Sequence, residues 1–365
     1  MNHWEYDDNK VETKELTITI SSMCIGVGVL TLPRILAGST SSSDGWISIV
    51  VAGGVAMLIA YWLAKFAGMY SNGTFFGYVS SLVTKPVAIV VTGSIFAYFT
   101  LFLAYEIRAI ANISKTYLFD RTPTEYISLV FLLIVTYAVS GSRIGLLRLN
   151  TLFFPIVVIV TILLLFFSNS IVHWVDLKPF FVTEPKQLMV GVKDSVFSML
   201  GFEVILFYTA MMKRPNEAPK AAVIGVAIPV LLYVTIYLIC VGTFTPWALK
   251  EIGYPAIELA KEVKIPGEFL ERTESIFFTI WIMKIFNTAS MAMDIVVHTA
   301  YSIVGKGNRI HWIVGVCPLV YLISMFPRNV IEFAVMGDII SYAGFVVISM
   351  VLGLFVIAKA KGMSK

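Results

Sequence analysis

The chain has 365 residues, 58% of them hydrophobic and 14% charged, with a mean hydropathy of +0.84. Soluble domains carry about 45–50% apolar and about 25% charged residues, so too little polar surface exists to coat soluble cores, and a disordered chain is excluded on the same grounds. The net charge of +4 is no footprint for nucleic acid and suits cationic loops beside an anionic lipid leaflet.

The composition predicts one all-α integral membrane domain over residues 1–365, opening on a polar cytoplasmic N-terminus (1–14) with no signal-peptide pattern. A bilayer core of about 30 Å takes about 20 apolar residues of helix. On that criterion ten transmembrane helices are predicted: 15–37, 46–68, 86–114, 124–140, 148–168, 188–211, 219–245, 270–300, 310–326 and 335–358. Split five and five, they give repeat one over about 15–168 and repeat two over about 188–358. Five is odd, so the second repeat must run in the opposite sense to the first. With the N-terminus inside, inner segments hold 14 Lys and Arg and outer segments 8, which favours both termini on the cytoplasmic side.

The first span carries Gly26-Val27-Gly28 in mid-helix, and Pro33 follows. A mid-helix Gly costs about 1 kcal/mol relative to Ala and an interior Pro about 3. In lipid a freed backbone amide costs more unless it faces protein or a cavity. The helix is therefore predicted to open and to line something; a close-packed Gly pair with a Pro kink is the alternative. Span six repeats the theme with Leu200-Gly201-Phe202 and an acid, Glu203, next in line. Matched Gly interruptions in two inverted halves point to a transporter-type site at mid-depth. The restarted helix at Gly28 would present N–H groups suited to a carboxylate. Carbonyls near Met199–Gly201 would suit an ammonium. A zwitterion such as an amino acid fits this pair.

The run Gly-Val-Gly-Val-Leu-Thr-Leu-Pro-Arg (26–34) resembles the opening helix of the spore germination permease-like B subunits of nutrient germinant receptors. These are distant members of the amino acid/polyamine/organocation (APC) transporter superfamily. Asp44-Gly45-Trp46, Glu106-Ile107-Arg108-Ala109, Leu200-Gly201-Phe202-Glu203 and Glu271-Arg272-Thr273-Glu274-Ser275 agree in order. The resemblance implies a LeuT/APC-like fold, a 5+5 inverted repeat with broken helices 1 and 6. It also implies a receptor built with an A-type subunit and a lipoprotein C-type subunit in the inner membrane of a bacterial endospore. The implied role is sensing a small-molecule germinant, an amino acid or sugar, and triggering germination. A proton- or sodium-coupled amino-acid transporter is the competing function.

The candidate ligand-binding residues are Gly26, Val27 and Gly28 on helix one, Leu200, Gly201 and Phe202 on helix six, and Phe102 on helix three. Phe102 shares a face with Tyr98 and Tyr105 at i, i+4 and i+7 spacing. Glu203 and Lys284 are candidate charge partners, because an ionisable group within a span marks a functional site by default. For Glu203, a ligand or proton partner and a cap on the second half of helix six stay open. In related transporter folds a sodium ion bridges helices one and eight, and the ammonium of Lys284 would replace it; an ion pair with Glu203 and a partner-facing lysine are the competing readings. Glu106 and Arg108 are expected near the outer end of span three, as a local pair or snorkelling groups. The cations of 141–147 and 212–220 are expected to be topology anchors. Cys24, Cys240 and Cys317 read as buried thiols. His3, His173, His298 and His311 do not cluster, so no metal site is expected, and no cofactor. No catalytic motif appears, and the chain is not expected to be an enzyme.

Overall fold

The computed structural model describes residues 10–40, 42–70, 73–263 and 273–362. Of the segments singled out above, residues 1–9 of the polar N-terminus and the Glu271-Arg272 pair lie outside that set.

The first span divides into α1 (Thr13–Cys24) and α2 (Gly28–Thr40), bent by 49° where residues 25–27 leave the helix. Then come α3 (Gly45–Gly68), the short α4 (Phe75–Leu82), α5 (Lys85–Tyr117), α6 (Thr124–Ser140) and α7 (Arg143–Ser168). Span six divides as well. Its first half is α8 (Pro185–Ser198), and its second is a tightly wound stretch, Phe202–Met211, around the single turn α9 (Ile205–Tyr208). The chain continues as α10 (Ala218–Leu249), α11 (Pro255–Glu262), α12 (Thr273–Val304), α13 (Arg309–Ser324) and α14 (Val330–Ala360). Within α10 the backbone leaves helical geometry at Thr245 (φ 61°), just before Pro246, where span seven was expected to end.

Every predicted span has a helical counterpart. Six helices among the described residues are long and apolar enough to cross a membrane, and the bent pair α1–α2 makes a seventh. The stretches 124–140, 202–211 and 309–324 are shorter apolar helices. The burial pattern explains their sequences. The outer helices turn large aliphatic and aromatic side chains outward, such as Leu58, Phe166 and Leu322 at 60%, 71% and 64% exposure. Apolar surface on that scale belongs against lipid. By contrast α1 carries Thr19, Ser21 and Ser22, all fully buried, because it lies inside a protein shell formed by α10, α7 and α12.

Polar contacts fix the halves to each other. Val11 exchanges backbone bonds with the end of span six, its N–H donating to Met211 (2.8 Å) and its carbonyl accepting from Lys213 (2.9 Å). At the opposite end of the bundle Asp44, the cap residue of α3, accepts the amides of Phe181, Val182 and Thr183 at 2.7, 2.8 and 3.0 Å. Burial opposes its charge, but those amides outweigh burial and hold its carboxyl below the usual carboxylate range.

The cations of the 141–147 segment do not all act as surface anchors. Arg143 is buried and donates to Asp294 at 2.9 Å; Arg309 donates to the other oxygen of Asp294 at 2.8 Å and to the Gly141 carbonyl at 2.8 Å. The Tyr208 hydroxyl adds a bond of 3.1 Å to Asp294. One carboxylate thus joins α7, α12, α13 and the end of span six. A buried carboxylate is tolerable only with such compensation. Removing Arg143 and Arg309 from the inner set reduces the cation asymmetry to 12 against 8.

Candidate functional site

The two interruptions face each other because glycine leaves no side chain between them. A Cβ built on Gly28 would stand 2.8 Å from the Cβ of Ser198, the last residue of α8. One built on Gly201 would stand 2.8 Å from the Met23 carbonyl, and Gly201 has φ +115°, in the left-handed region. Gly201 is therefore required twice over, by its backbone and by its neighbour. Between the two helix ends stands Tyr233 of α10. Its hydroxyl lies 3.0 Å from the Cys24 carbonyl and 2.9 Å from the Ser198 carbonyl, so a single O–H is shared between the ends of α1 and α8. The Ser198 carbonyl, beside the stretch expected to hold an ammonium, is thus already engaged.

Beside this crossing is a cavity of about 30 Å³ lined by Gly26, Val27 and Gly28, by Phe102, Tyr105 and Glu106, and by Phe197, Ser198 and Leu200. Met23 and Ile340 complete the wall. That volume suits about one water molecule, whose share of liquid volume is about 30 Å³. Small-molecule pockets run to about 300–1,000 Å³. Five predicted residues, Gly26, Val27, Gly28, Phe102 and Leu200, therefore share one small chamber. Gly201 and Phe202 are buried behind it and do not line it. On α14, Gly344 gives Leu200 its place, since a Cβ there would meet Leu200 Cδ1 at 2.9 Å and Tyr98 at 3.2 Å. Tyr105 closes the other side, stacked on Phe333 with ring centroids 4.3 Å apart.

The acid that reaches the chamber is Glu106. It is not near the outer end of the molecule and does not pair with Arg108. Glu106 is 2% exposed, and a Cβ on Gly26 would stand 3.1 Å from its Oε1. Its Oε2 has no hydrogen-bond partner among the described residues. Arg108 is also buried and reaches Thr124 at 3.4 Å. The missed signal was an acid four residues after Phe102, one helical turn along the face already assigned to the pocket.

Lys284 is fully buried on α12, so it does not face outward toward a partner protein. Its ammonium donates to Thr288 Oγ1 at 2.7 Å and is attracted to Glu106. Glu203 is 1% exposed and accepts the Gly201 amide at 2.7 Å, the geometry of a cap on the second half of the broken helix. Among the described residues no group of three or more metal-ligating side chains comes together.

Comparison with known proteins follows the same lines. A family model described as spore germination protein matches residues 10–332. Spore germination protein GerLB of Bacillus cereus is 37% identical over 360 residues, 98% of this chain and 96% of that protein. Spore germination protein YndE of Bacillus subtilis (strain 168) is 29% identical over 334 residues, 92% of each. Of solved structures, MhsT in complex with L-phenylalanine matches with a TM-score of 0.71 at 15% identity, covering 93% of this chain and 88% of that one. Mhp1, a nucleobase-cation-symport-1 family transporter in a closed conformation with bromovinylhydantoin bound, matches with a TM-score of 0.65 at 12% identity, covering 96% and 80%. At those identities the likeness establishes the fold, an all-helical transporter architecture. With a family match over most of its length and a relative 37% identical across nearly all of it, the chain belongs to the spore germination protein family, and it is an integral membrane protein.

Proposed function

We propose that this chain is the germinant-sensing subunit of a spore germination receptor, binding a small nutrient where helices one and six break. It would work beside an A-type subunit and a lipoprotein C-type subunit in the inner spore membrane. In this reading the chain crosses ten times as a 5+5 inverted repeat, with both termini on the core side. The observation that carries the proposal is the chamber at the crossing, with a restarted helix N-terminus on one wall and the unpartnered oxygen of Glu106 on another. The Val29 and Leu30 amides already turn back to the Gly26 and Val27 carbonyls, so it is the Gly28 N–H at the helix start that suits a ligand carboxylate, and Glu106 suits an ammonium. That pairing favours an amino acid over a sugar. Lys284, bonded to Thr288 beside the break, supplies a fixed cation, so binding is sodium-independent.

The test is thermal stability of the purified protein across a panel of amino acids and sugars, with Glu106→Gln in parallel. A ligand at a hundredfold its Kd adds about 2.7 kcal/mol to the folded state. Stabilisation by an amino acid in the wild type, lost in Glu106→Gln, is the expected result; no stabilisation by any panel member defeats the reading. The likeness to a solved symporter favours a second reading, net transport. Uptake of the stabilising ligand into liposomes would establish that reading in place of sensing.

A further inference from the structure

A second cavity, of about 690 Å³, opens between the C-terminal end of α3 and the N-terminal end of α10. It shares no lining residue with the chamber at the helix breaks. Its walls are Tyr61, Ala64, Lys65 and Met69 on one side and Pro219, Lys220, Val223 and Ile224 on the other, with Pro215 and Asn216 across the top. The turn at Pro215 seats on α3 because Gly68 has no side chain; a Cβ there would lie 3.3 Å from the Pro215 carbonyl.

The two walls are graded in the same direction. Lys65 and Lys220 both stand at the rim, near the ends of antiparallel helices. Tyr61 lies four residues back along α3, and Val223 and Ile224 lie three and four residues into α10. At 1.5 Å of rise per residue, each apolar group sits about 4.5–6 Å deeper than its lysine. The apolar strip then continues away from the rim. Leu58, three residues before Tyr61, is 60% exposed, and Leu231, seven residues after Ile224, is 69% exposed. Both spacings keep a residue on one helix face. Among the described residues no acidic side chain lines the cavity, and nearby Glu217 is turned to Arg214 and Thr13. Lys65 also lies 5.5 Å from the ring centroid of Trp62, an aromatic position typical of the membrane interface.

From this grading we infer that the cavity is a binding site for an anionic phospholipid. The phosphodiester sits between the two ammonium groups and Asn216, and the acyl chains run down over Tyr61, Val223 and Ile224 onto the lipid-facing strip. A free phosphate would use only the rim and leave the apolar walls unused. The cationic rim and the apolar continuation together match a molecule with both properties.

Native mass spectrometry of the purified chain, released from mixed micelles of phosphatidylglycerol and phosphatidylcholine, tests the inference. A cation near an anionic headgroup contributes about fivefold, so the two lysines give a preference of about 25-fold for phosphatidylglycerol. The double variant Lys65→Gln/Lys220→Gln loses that preference, while Lys65→Arg/Lys220→Arg keeps most of it. Both lysines are exposed, and the thermal midpoint in zwitterionic detergent stays unchanged in each variant. Equal retention of the two lipids by the wild type overturns the proposal, as does a preference that survives the double glutamine change. Competition by glycerophosphate as effective as by phosphatidylglycerol also overturns it, since the site would then read the headgroup alone.

Discussion

Replacing Gly28 with alanine adds one methyl group at the point where the two broken helices touch. The new carbon would stand 2.8 Å from Ser198 Cβ and 3.1 Å from Ser198 Cα. Carbon atoms pack best at about 3.5–4.0 Å, so α2 and α8 must separate by roughly 0.7–1.2 Å. The neighbour is the root of a side chain and its backbone, which cannot swing aside as a side-chain tip does. Overpacking of this kind costs about 1–3 kcal/mol. If the germination response requires this contact, the dose-response midpoint moves by about 5- to 150-fold. Gly38 supplies the control within the same helix. A Cβ there meets nothing within 4 Å, and alanine improves helix propensity by about 1 kcal/mol. The assay compares germinant dose-response curves of spores carrying each variant, with membrane insertion checked by immunoblot. A Gly28→Ala curve that overlays the Gly38→Ala curve would refute the steric reasoning.

Three further outcomes follow from the geometry. Asp294→Asn keeps the volume but removes the charge that offsets Arg143 and Arg309; the expected loss is about 3–5 kcal/mol in detergent unfolding, and an unchanged midpoint would show the network to be dispensable. Lys284→Met and Glu106→Gln should each destabilise the protein, while the double variant loses less than the sum by about 0.5–3 kcal/mol; strict additivity would show that the two charges do not interact. Asp44 has a carboxyl held below its ordinary value, so its stabilising contribution is complete above about pH 4 and fades as pH falls through the lower folded value. Asp44→Asn should therefore lower thermal stability at neutral pH and flatten the acid limb of the stability curve; parallel acid limbs for the two proteins would remove Asp44 as the source.

Both helix interruptions were legible because glycine and proline act locally. Gly26 and Gly28 stand one residue apart with Pro33 following, a combination that the glycines of the unbroken α3 and α14 lack, and Gly201 stands two residues before Glu203. Of the residues lining the chamber, Phe102 was legible by depth and helical spacing, and Leu200 by its place beside Gly201. Glu106 was not, for a reason that lies in helix length. α5 runs 33 residues, about 50 Å at 1.5 Å each, longer than the bilayer core. Counting inward from the start of such a helix does not locate mid-depth, and the acid seemed to lie near an outer end when it faces the crossing. Arg143 and Arg309 misled in another way. Each sits beside a loop, where cations ordinarily meet water, and the carboxylate that draws them inward is 151 and 15 residues away. Only tertiary packing brings those three groups together. Gly201 and Phe202 show the reverse error: a break was located correctly, but which of its residues turn toward the hollow depends on helix rotation, and hydropathy does not report that.

The smallness of the chamber at the crossing has a mechanical consequence. In the proposed reading, a guest larger than a water molecule enters only by prying its walls apart, so recognition and movement would be one event. The walls belong to separate rods, and wedging them open displaces long levers at once. Tyr233, with one proton serving two carbonyls, must then let go of one of them. In the proposed receptor, occupancy would thereby be written as a change of shape that a neighbour in the membrane can feel, even if nothing passes through.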